Sequence, residues 1–410
     1  MRRPLRKPHG LKMEDIENWK ETTDFIIHDE NGTYQAHDGA TGKKVGSSTD
    51  IGELINDVIA LCPDVFTTGY IGDRGTGTGV SNIHLKRGFY NLSTPIELEN
   101  GTMIIGDGLY NTVICQAAGQ NLDHMIRQDC LNTEFKYFSG IKGLELNGNK
   151  DNNITTVGFV GSTAGTGETR DIHIIDSLVK NCPGYGVDID FCWGFKALNS
   201  FFTFNDGRGI KLAGSSQAYL DNCYISWNGA HGLQMEGILS VINNCCCDYN
   251  GYAGIRAEGT RNAYNNITAV YNGKNSTGDP WDTGIYIAAA GHFNLFNNIL
   301  LRSTAACADF GMCIAGESNQ VNNVYIEGSL DTDIEVIAGG DGNRINGKWA
   351  TLTDAGARNV FNGIGKNAGL PGVGGDWAAA GEYEGCIVRD TTNNKTYIYA
   401  DAAWREISAA

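Results

Sequence analysis

"NGAHGLQMEG", residues 228–237, reads one way alone and another beside its neighbours. Alone, it places a histidine and a glutamate around a glycine, as an active-site turn would. Aligned on the glycine after the histidine, "NCPGYGVDID" (181–190), "NDGRGIKLAG" (205–214) and "NGYAGIRAEG" (250–259) fall into register with it. Gly186, Gly209, Gly232 and Gly254 are 23, 23 and 22 residues apart, and looser copies follow at Gly284 and Gly311 after steps of 30 and 27. A second marker, ten residues upstream, runs through Asp176, Asn199, Asn222, Asn244, Asn266, Asn298 and Asn323 and is extended here to Asn346; its steps are 23, 23, 22, 22, 32, 25 and 23. Two independent markers keep one period, so the stretch is one copy of a repeat.

After each glycine the apolar residues alternate with polar ones: Val187 and Ile189, Ile210 and Leu212, Leu233 and Met235, Ile255 and Ala257, Ile285 and Ile287. That period of two marks a strand with one buried face. The segments "YLDNCYISWN" (219–228), "SVINNCCCDYN" (240–250) and "NAYNNITAVYN" (262–272) are also strand-like and end in asparagine turn chemistry. Each period therefore holds two or three short strands and no helix, and stacking such units gives an all-β fold, a parallel β-helix. At its corners an asparagine can bond both the turning backbone and the asparagine above. Leucine-rich repeats also carry asparagine ladders at a similar period, but their leucine pattern is missing.

A chain of 410 residues would ordinarily hold two or three domains, a prior that a repeat array escapes. Its 55 glycines are close to twice the usual share of about 7%, as a fold with a turn every few residues needs. A net charge of −16 argues against a nucleic-acid surface and is compatible with a neutral or locally cationic sugar ligand. No apolar run of about 18 residues is present, so no membrane insertion is expected. "MRRPLRKPHGLKMEDIENWK" (1–20) is basic with no apolar stretch behind it, which does not read as a secretory signal peptide. The expectation is an intracellular protein, or one delivered outside without the general secretion route, as virion proteins are. The 12 cysteines lack the paired spacing of a zinc site, and no metal or cofactor is implied. They read mostly as small buried core residues, with a Cys223–Cys245 disulfide between stacked copies as the alternative.

"STDIGELINDVIALC" (48–62) is the best helix in the chain, capped by Asp50 or Thr49, with Ile51, Leu54, Ile55, Val58 and Ile59 on one face. It is placed to cover the first rung. With "GFYNLSTPIEL" and "MIIGDGLYNTVI" following within residues 83–115, this order resembles the entry to right-handed parallel β-helix proteins of the pectin-lyase-like class, over about residues 48–350. That class contains lyases, hydrolases, epimerases and proteins without catalysis. After a glycine-rich joint, "GLPGVGGDWAAAGEYEG" (369–385), the ending "CIVRDTTNNKTYIYADAAWREIS" (386–408) resembles the small hairpin module of bacteriophage tail and fibre proteins. Together these resemblances imply a viral tail-spike: an N-terminal attachment segment (1–47) joining a virion tail or baseplate protein, a β-helix (48–350), and a C-terminal joint and hairpin module (351–410). They also imply a homotrimer on the virion that acts extracellularly on a host cell-surface polysaccharide.

The outward positions carry the candidate chemistry. The second residue after each glycine is Asp188, Lys211, Gln234, Arg256, Tyr286 and Cys313; the fourth is Asp190, Ala213, Glu236, Glu258, Ala288 and Ala315. Glu236 and Glu258 then stand on neighbouring rungs, about 4.8 Å apart at the backbone, with Asp190 two rungs from Glu236, roughly 10 Å away. Glycoside hydrolysis uses carboxylates about 5 Å apart when retaining and ~6.5–9.5 Å when inverting, and one of them must keep its proton. Glu236, Glu258 and Asp190 are therefore the candidate catalytic residues. Asp188, Lys211, Arg256, His231, Trp227, Trp281, Tyr286 and Asp282 are candidate substrate-binding residues, and Trp193, Tyr185 and Tyr252 offer further flat faces. His231 shares its slot with Tyr185, Arg208 and Ala253 in other copies.

The bland reading is that an outward solenoid face must be polar and that alternating charges form a solvated ladder. Acids clustered in a cleft favour an enzyme; acids paired flat to Lys211 and Arg256 favour a binder. "AHG" (230–232) is similar to the "GHG" of polygalacturonases, but the companion "NTD", paired "DD" and downstream "RIK" in order are absent. No arginine and calcium-carboxylate arrangement like that of pectate lyases is found. Insertions at 273–282 and 303–309 place Asp279, Trp281 and Asp282 to reach over Glu258, with Asp309 and Glu317 as further acids. The reading is a tail-spike that binds and hydrolyses a polysaccharide; the alternatives are a non-enzymatic receptor-binding spike and a cellular pectin-lyase-like enzyme.

Overall fold

The computed structural model describes residues 24–62, 81–99, 101–129, 135–162, 168–275, 282–303, 310–328, 332–349, 351–365, 387–390, 395–400 and 403–407. One rung consists of Val187–Asp190, Lys196–Leu198 and Phe201–Thr203; the next repeats it as Ile210–Ala213, Tyr219–Asp221 and Tyr224–Ser226. Each of these strands pairs in parallel with its counterpart one rung on, Val187 with Ile210, Lys196 with Tyr219 and Phe201 with Tyr224. The first strands stack into an 11-stranded parallel sheet, face I. The second and third stack into faces II and III, which run together as single strands at Ala263–Val270, Leu295–Arg302 and Gln320–Glu327.

Alternation decides which side chains fill the interior. On face I, Val187, Ile189, Ile210, Leu212, Leu233, Met235, Ile255, Ala257, Ile285 and Ile287 all point inward and are fully buried, as read from the sequence. Among the described residues, nine cysteines carry free thiols, seven of them buried. Cys223 and Cys245 stand one rung apart without a disulfide, their thiols donating to the Ala197 carbonyl at 3.3 Å and the Asn243 carbonyl at 3.1 Å.

The corner between faces II and III follows from the asparagines. Asp176, Asn199, Asn222, Asn244, Asn266, Asn298 and Asn323 all adopt left-handed backbone, φ between 49° and 55°, a conformation that asparagine and aspartate tolerate better than other non-glycine residues. Their side chains bond along the stack, Asn222 Nδ2 donating to Asn199 Oδ1 at 3.0 Å and Asn298 to Asn266 at 2.9 Å, except that Asn244 donates to Asp221 beside the column at 2.8 Å. Asn346 is not in this column: it donates to Asn322 at 3.0 Å. The register slips between Val321 and Val324, so Gly347 pairs with Val324 and the next rung holds no counterpart of Asn323.

Two further ladders lie inside. Asn205, Asn228, Asn250 and Asn272 form one, and Asn262, Asn294, Asn319, Asn343 and Asn359 the other; all are buried. In each, the Oδ1 of one asparagine accepts the backbone N–H of the asparagine a rung earlier, at 2.8–3.2 Å. Buried N–H groups that the strands leave unpaired are satisfied this way.

The helix Ile51–Leu61 covers the first rung with the expected apolar face. Asp50 is its cap, accepting from Gly52 N at 3.1 Å and from Ser93 N at 2.9 Å, which ties the helix start to the solenoid. A side chain at position 52 would lie 1.8 Å from the Thr94 carbonyl oxygen, so only glycine lets the helix sit this close. Phe25–Glu30, Thr33–Asp38 and Lys44–Ser48, within the stretch expected to serve attachment, form an antiparallel unit whose first strand pairs with Ser81–Leu85. At the other end, Leu352–Asp354 and Val360–Gly365 carry the stack past residue 350, and Ile387–Asp390, Lys395–Ala400 and Ala403–Ile407 follow as an antiparallel meander.

Asn250→Ala removes the acceptor of the Asn228 backbone N–H and the donor to the Ile225 carbonyl. Each group left buried and unpaired costs ~1–3 kcal/mol, so the expected loss is about 2–4 kcal/mol. Urea unfolding followed by circular dichroism checks this; Asn266→Ala, on the exposed ladder, should cost about 1 kcal/mol or less.

Candidate functional site

The register of face I sets one outer row in chain order: Glu97, Arg127, Val160, Asp188, Lys211, Gln234, Arg256, Tyr286, Cys313, Glu335 and Thr353. The candidate acids fall beside the middle of this row, in two separate groups. In the first, Lys211 Nζ donates to Asp188 Oδ1 at 3.0 Å and to Asp190 Oδ1 at 3.3 Å. In the second, Gln234 Nε2 donates to Glu236 Oε1 at 2.6 Å and to Glu258 Oε1 at 2.8 Å, while Arg256 Nε closes on Glu258 Oε1. Since one nitrogen reaches both oxygens, the two carboxylates are no farther apart than the sum of those two distances. That upper bound lies below the ~6.5 Å at which inverting glycosidases begin, which leaves the pair on the side of the closer spacing, about 5–5.5 Å, that retaining ones use.

Burial sets the electrostatics. It pushes the Glu258 carboxyl above the ordinary carboxylate range; Arg256 opposes the shift, and the Glu236 charge adds to it. Asp188 is also raised by burial, against the pull of Lys211. Burial pulls Lys211 down, but its bonds and attraction to Asp188 and Asp190 outweigh it and leave the ammonium raised.

The other candidates divide. His231 is 2% exposed, its Nε2 3.4 Å from Arg256 Nη1, and burial followed by the charges of Arg256 and Arg208 pushes its pKa down to about 3. It lies beneath the surface row as a neutral support for Arg256. Tyr286 follows Arg256 in the row and packs with Ala253, Ala288, Cys313 and Ala315 into an apolar floor next to the acids. Trp227 sits on the corner after face III, stacked on Tyr249 at 4.4 Å and beside Phe204 at 5.9 Å, with the Lys274 ammonium 3.5 Å from its ring centre. Its stacking partners are these rung neighbours and not the acid pair. Asp282 is fully buried at the start of its rung and does not stand over Glu258. Glu317 is an exposed turn residue whose N–H donates to His292 Nδ1 at 3.0 Å. Trp281, Asp279 and Asp309 lie outside the described residues. Trp193 packs against the Arg170 guanidinium at 4.9 Å, and Tyr185 against that of Arg208 at 5.0 Å. Among the described residues, no group of three or more His, Cys, Asp and Glu side chains is arranged to hold a metal ion.

Sequence reasoning passed over Gln234, the donor that joins the two glutamates. The signal was there: it is a neutral amide in a position filled by Asp188, Lys211 and Arg256 on adjacent rungs.

Residues 139–280 match the family described as "Right handed beta helix region". The fold is a right-handed parallel β-helix. Among solved structures, the A-module of the mannuronan C-5 epimerase AlgE4 of Azotobacter vinelandii superposes with a TM-score of 0.50 at 16% identity, over 70% of this chain and 91% of that one. DFA-IIIase from Arthrobacter chlorophenolicus, without its lid, gives 0.52 at 15% identity, over 72% and 90%. ORF18 of Geobacillus virus E2 spans 97% of this chain and 98% of its own at 11% identity, with a TM-score of 0.45, too loose a superposition to bear on function. No curated protein matches the chain. At these identities the likeness extends to the fold.

His231 makes stability depend on pH in a stated direction. Between its ordinary pKa near 6.5 and about 3, the unfolded chain takes up a proton that the folded ring refuses, so stability is lost as pH falls through that window. Urea unfolding at pH 7 and pH 4.5 should show wild type losing about 2–3 kcal/mol more than His231→Gln; equal losses would contradict the buried, neutral ring.

Proposed function

We propose that face I binds a host cell-surface polysaccharide and hydrolyses it, with Glu258 as general acid and Glu236 as nucleophile. The observation that carries this reading is the shared Gln234 amide, which holds the two carboxylates closer together than the ~6.5 Å at which inverting glycosidases begin. In the first step Glu258, whose pKa burial raises, gives its proton to the glycosidic oxygen while Glu236 attacks the anomeric carbon. The glycosidic bond breaks and a glycosyl ester forms on Glu236. In the second, the Glu258 carboxylate takes a proton from water, the resulting hydroxide attacks the same carbon, and Glu236 leaves as carboxylate. Asp190 is set aside from the chemistry, because Lys211 engages it together with Asp188.

We further infer that the chain serves as a virion tail-spike, homotrimeric and joined to the tail by its N-terminal segment. The support is the likeness of residues 386–408 to phage tail hairpins and the long β-helix ahead of them. The second reading, adhesion without cleavage, is favoured by the Lys211 group, a neutralised ladder of the kind that solvated solenoid faces carry, and by the pairing of Arg256 with Glu258.

Incubating the protein with a panel of host capsules and lipopolysaccharides and assaying new reducing ends separates the two. Hydrolysis requires release that falls by about 10²–10⁴-fold in both Glu236→Gln and Glu258→Gln; binding without release, unaltered in both variants, would leave adhesion. The pH profile adds a check. Activity should fall as pH rises through the Glu258 pKa, above the ordinary carboxylate range. In Arg256→Met that alkaline limb should move to higher pH, because the arginine charge is what holds the pKa down.

A further inference from the structure

Among the described residues, three cations stand around the acid groups of face I, and two of them have carboxylates. Lys211 holds Asp188 and Asp190, and Arg256 holds Glu258. Arg208, in the same slot as His231 one rung earlier, has none. Its Nη1 donates to the Tyr185 hydroxyl at 2.8 Å, a neutral acceptor, and its guanidinium carbon lies 5.0 Å from the centre of the Tyr185 ring. Its Nε is buried without an acceptor. Among the described residues no carboxylate oxygen comes within 4.0 Å of it, in a chain whose net charge is −16.

The position is built rather than accidental. A side chain at Gly207 would lie 2.4 Å from the Tyr185 ring, so the glycine leaves room for the platform on which the guanidinium rests. A partly buried guanidinium has lost hydration that no counter-ion restores. Stacking on tyrosine offsets part of that cost and fixes the planar fork in place. The charge lies close enough to Asp188, His231 and Glu258 to be felt by all three, so it faces the acid groups.

We propose that Arg208, held by Tyr185, is a preformed receptor for an oxyanion carried by the glycan, so that the bound polysaccharide is an acidic one. The edge of the planar fork that Tyr185 leaves unengaged matches a carboxylate, and sulfate or phosphate esters share that chemistry. This deepens the reading of face I as the glycan-binding face and rests on it, but its test does not need hydrolysis. Arg208 binds the substituent of a sugar that lies beside the one cleaved, and so selects among polysaccharides.

The experiment is a thermal-unfolding titration of the full chain with sodium glucuronate, sodium sulfate and glucose, with ionic strength matched by sodium chloride. A ligand that binds the folded state raises the midpoint with its concentration and so yields a Kd. Glucuronate or sulfate should raise the midpoint of wild type above the glucose and chloride controls, and the stronger of the two identifies the acidic group. In Arg208→Gln the Kd should weaken about tenfold or more, and Arg208→Lys, which keeps the charge without the fork, should fall between. No anion-specific rise in wild type, or the same rise in Arg208→Gln, would overturn the proposal. An anion effect lost in Arg208→Gln, in a protein that releases no reducing ends from any glycan, would sink the hydrolase reading and leave the anion site standing.

Discussion

Backbone N–H groups at the solenoid corners have no strand partner, and the amide of an asparagine one rung away supplies it. Asn250 accepts from the backbone and side chain of Asn228 and donates to Asn272 and to the Ile225 carbonyl, so one side chain ties three rungs together. An unpaired group at each such corner would cost ~1–3 kcal/mol, and the stack repeats the corner many times. The two buried ladders therefore do more than decorate the turns. They fix which residue stands above which, and a strand that slipped by one residue would turn its apolar side chains outward.

The position of the acids depends on that register. Neighbouring rungs are about 4.8 Å apart, which is why a single Gln234 amide can reach a carboxylate on its own rung and one on the next. Arg256 closes on Glu258 from two residues before it on the same rung, with the neutral His231 beneath. The Lys211 group is built on the same spacing with opposite effect, one cation bridging two acids of the preceding rung. One lattice thus produces a neutralised ladder and a carboxylate pair held by a neutral donor, and the identity of the residue after the glycine decides between them.

Most of the fold was legible in the sequence because a repeat writes the same constraint many times. The glycine step, the alternation after it and the exposed asparagine column each recur often enough to be read, and the helix carries its own cap at Asp50. One buried ladder was present as letters too, as the asparagine of each Asn-Gly or Asn-Asp-Gly turn at 205, 228, 250 and 272, whereas the asparagines of the other, from Asn262 to Asn359, stand directly before a strand with no turn signal. Their burial depends on how the third strand turns back into the interior, which no local pattern records. The placement of Asn346 failed for a similar reason: a register slip shifts the rung without altering composition. Candidate residues on strands fell where alternation put them. Those on corners did not: Trp227 faces its own rung neighbours, and Asp282 is buried. Arg208 drew no notice because what sets it apart, the lack of a carboxylate partner among the described residues, is a property of three-dimensional neighbours alone.

Structural likeness reaches the fold and stops there, so the claim about function rests on the arrangement around Gln234. The crystal structure of Glu236→Gln soaked with oligosaccharides of a host capsule tests it most directly. The account requires a glycan across face I with a glycosidic oxygen within hydrogen-bond distance of Glu258 and an anomeric carbon facing position 236. Density for the sugar on another face, or only in a groove between subunits away from these residues, would contradict it.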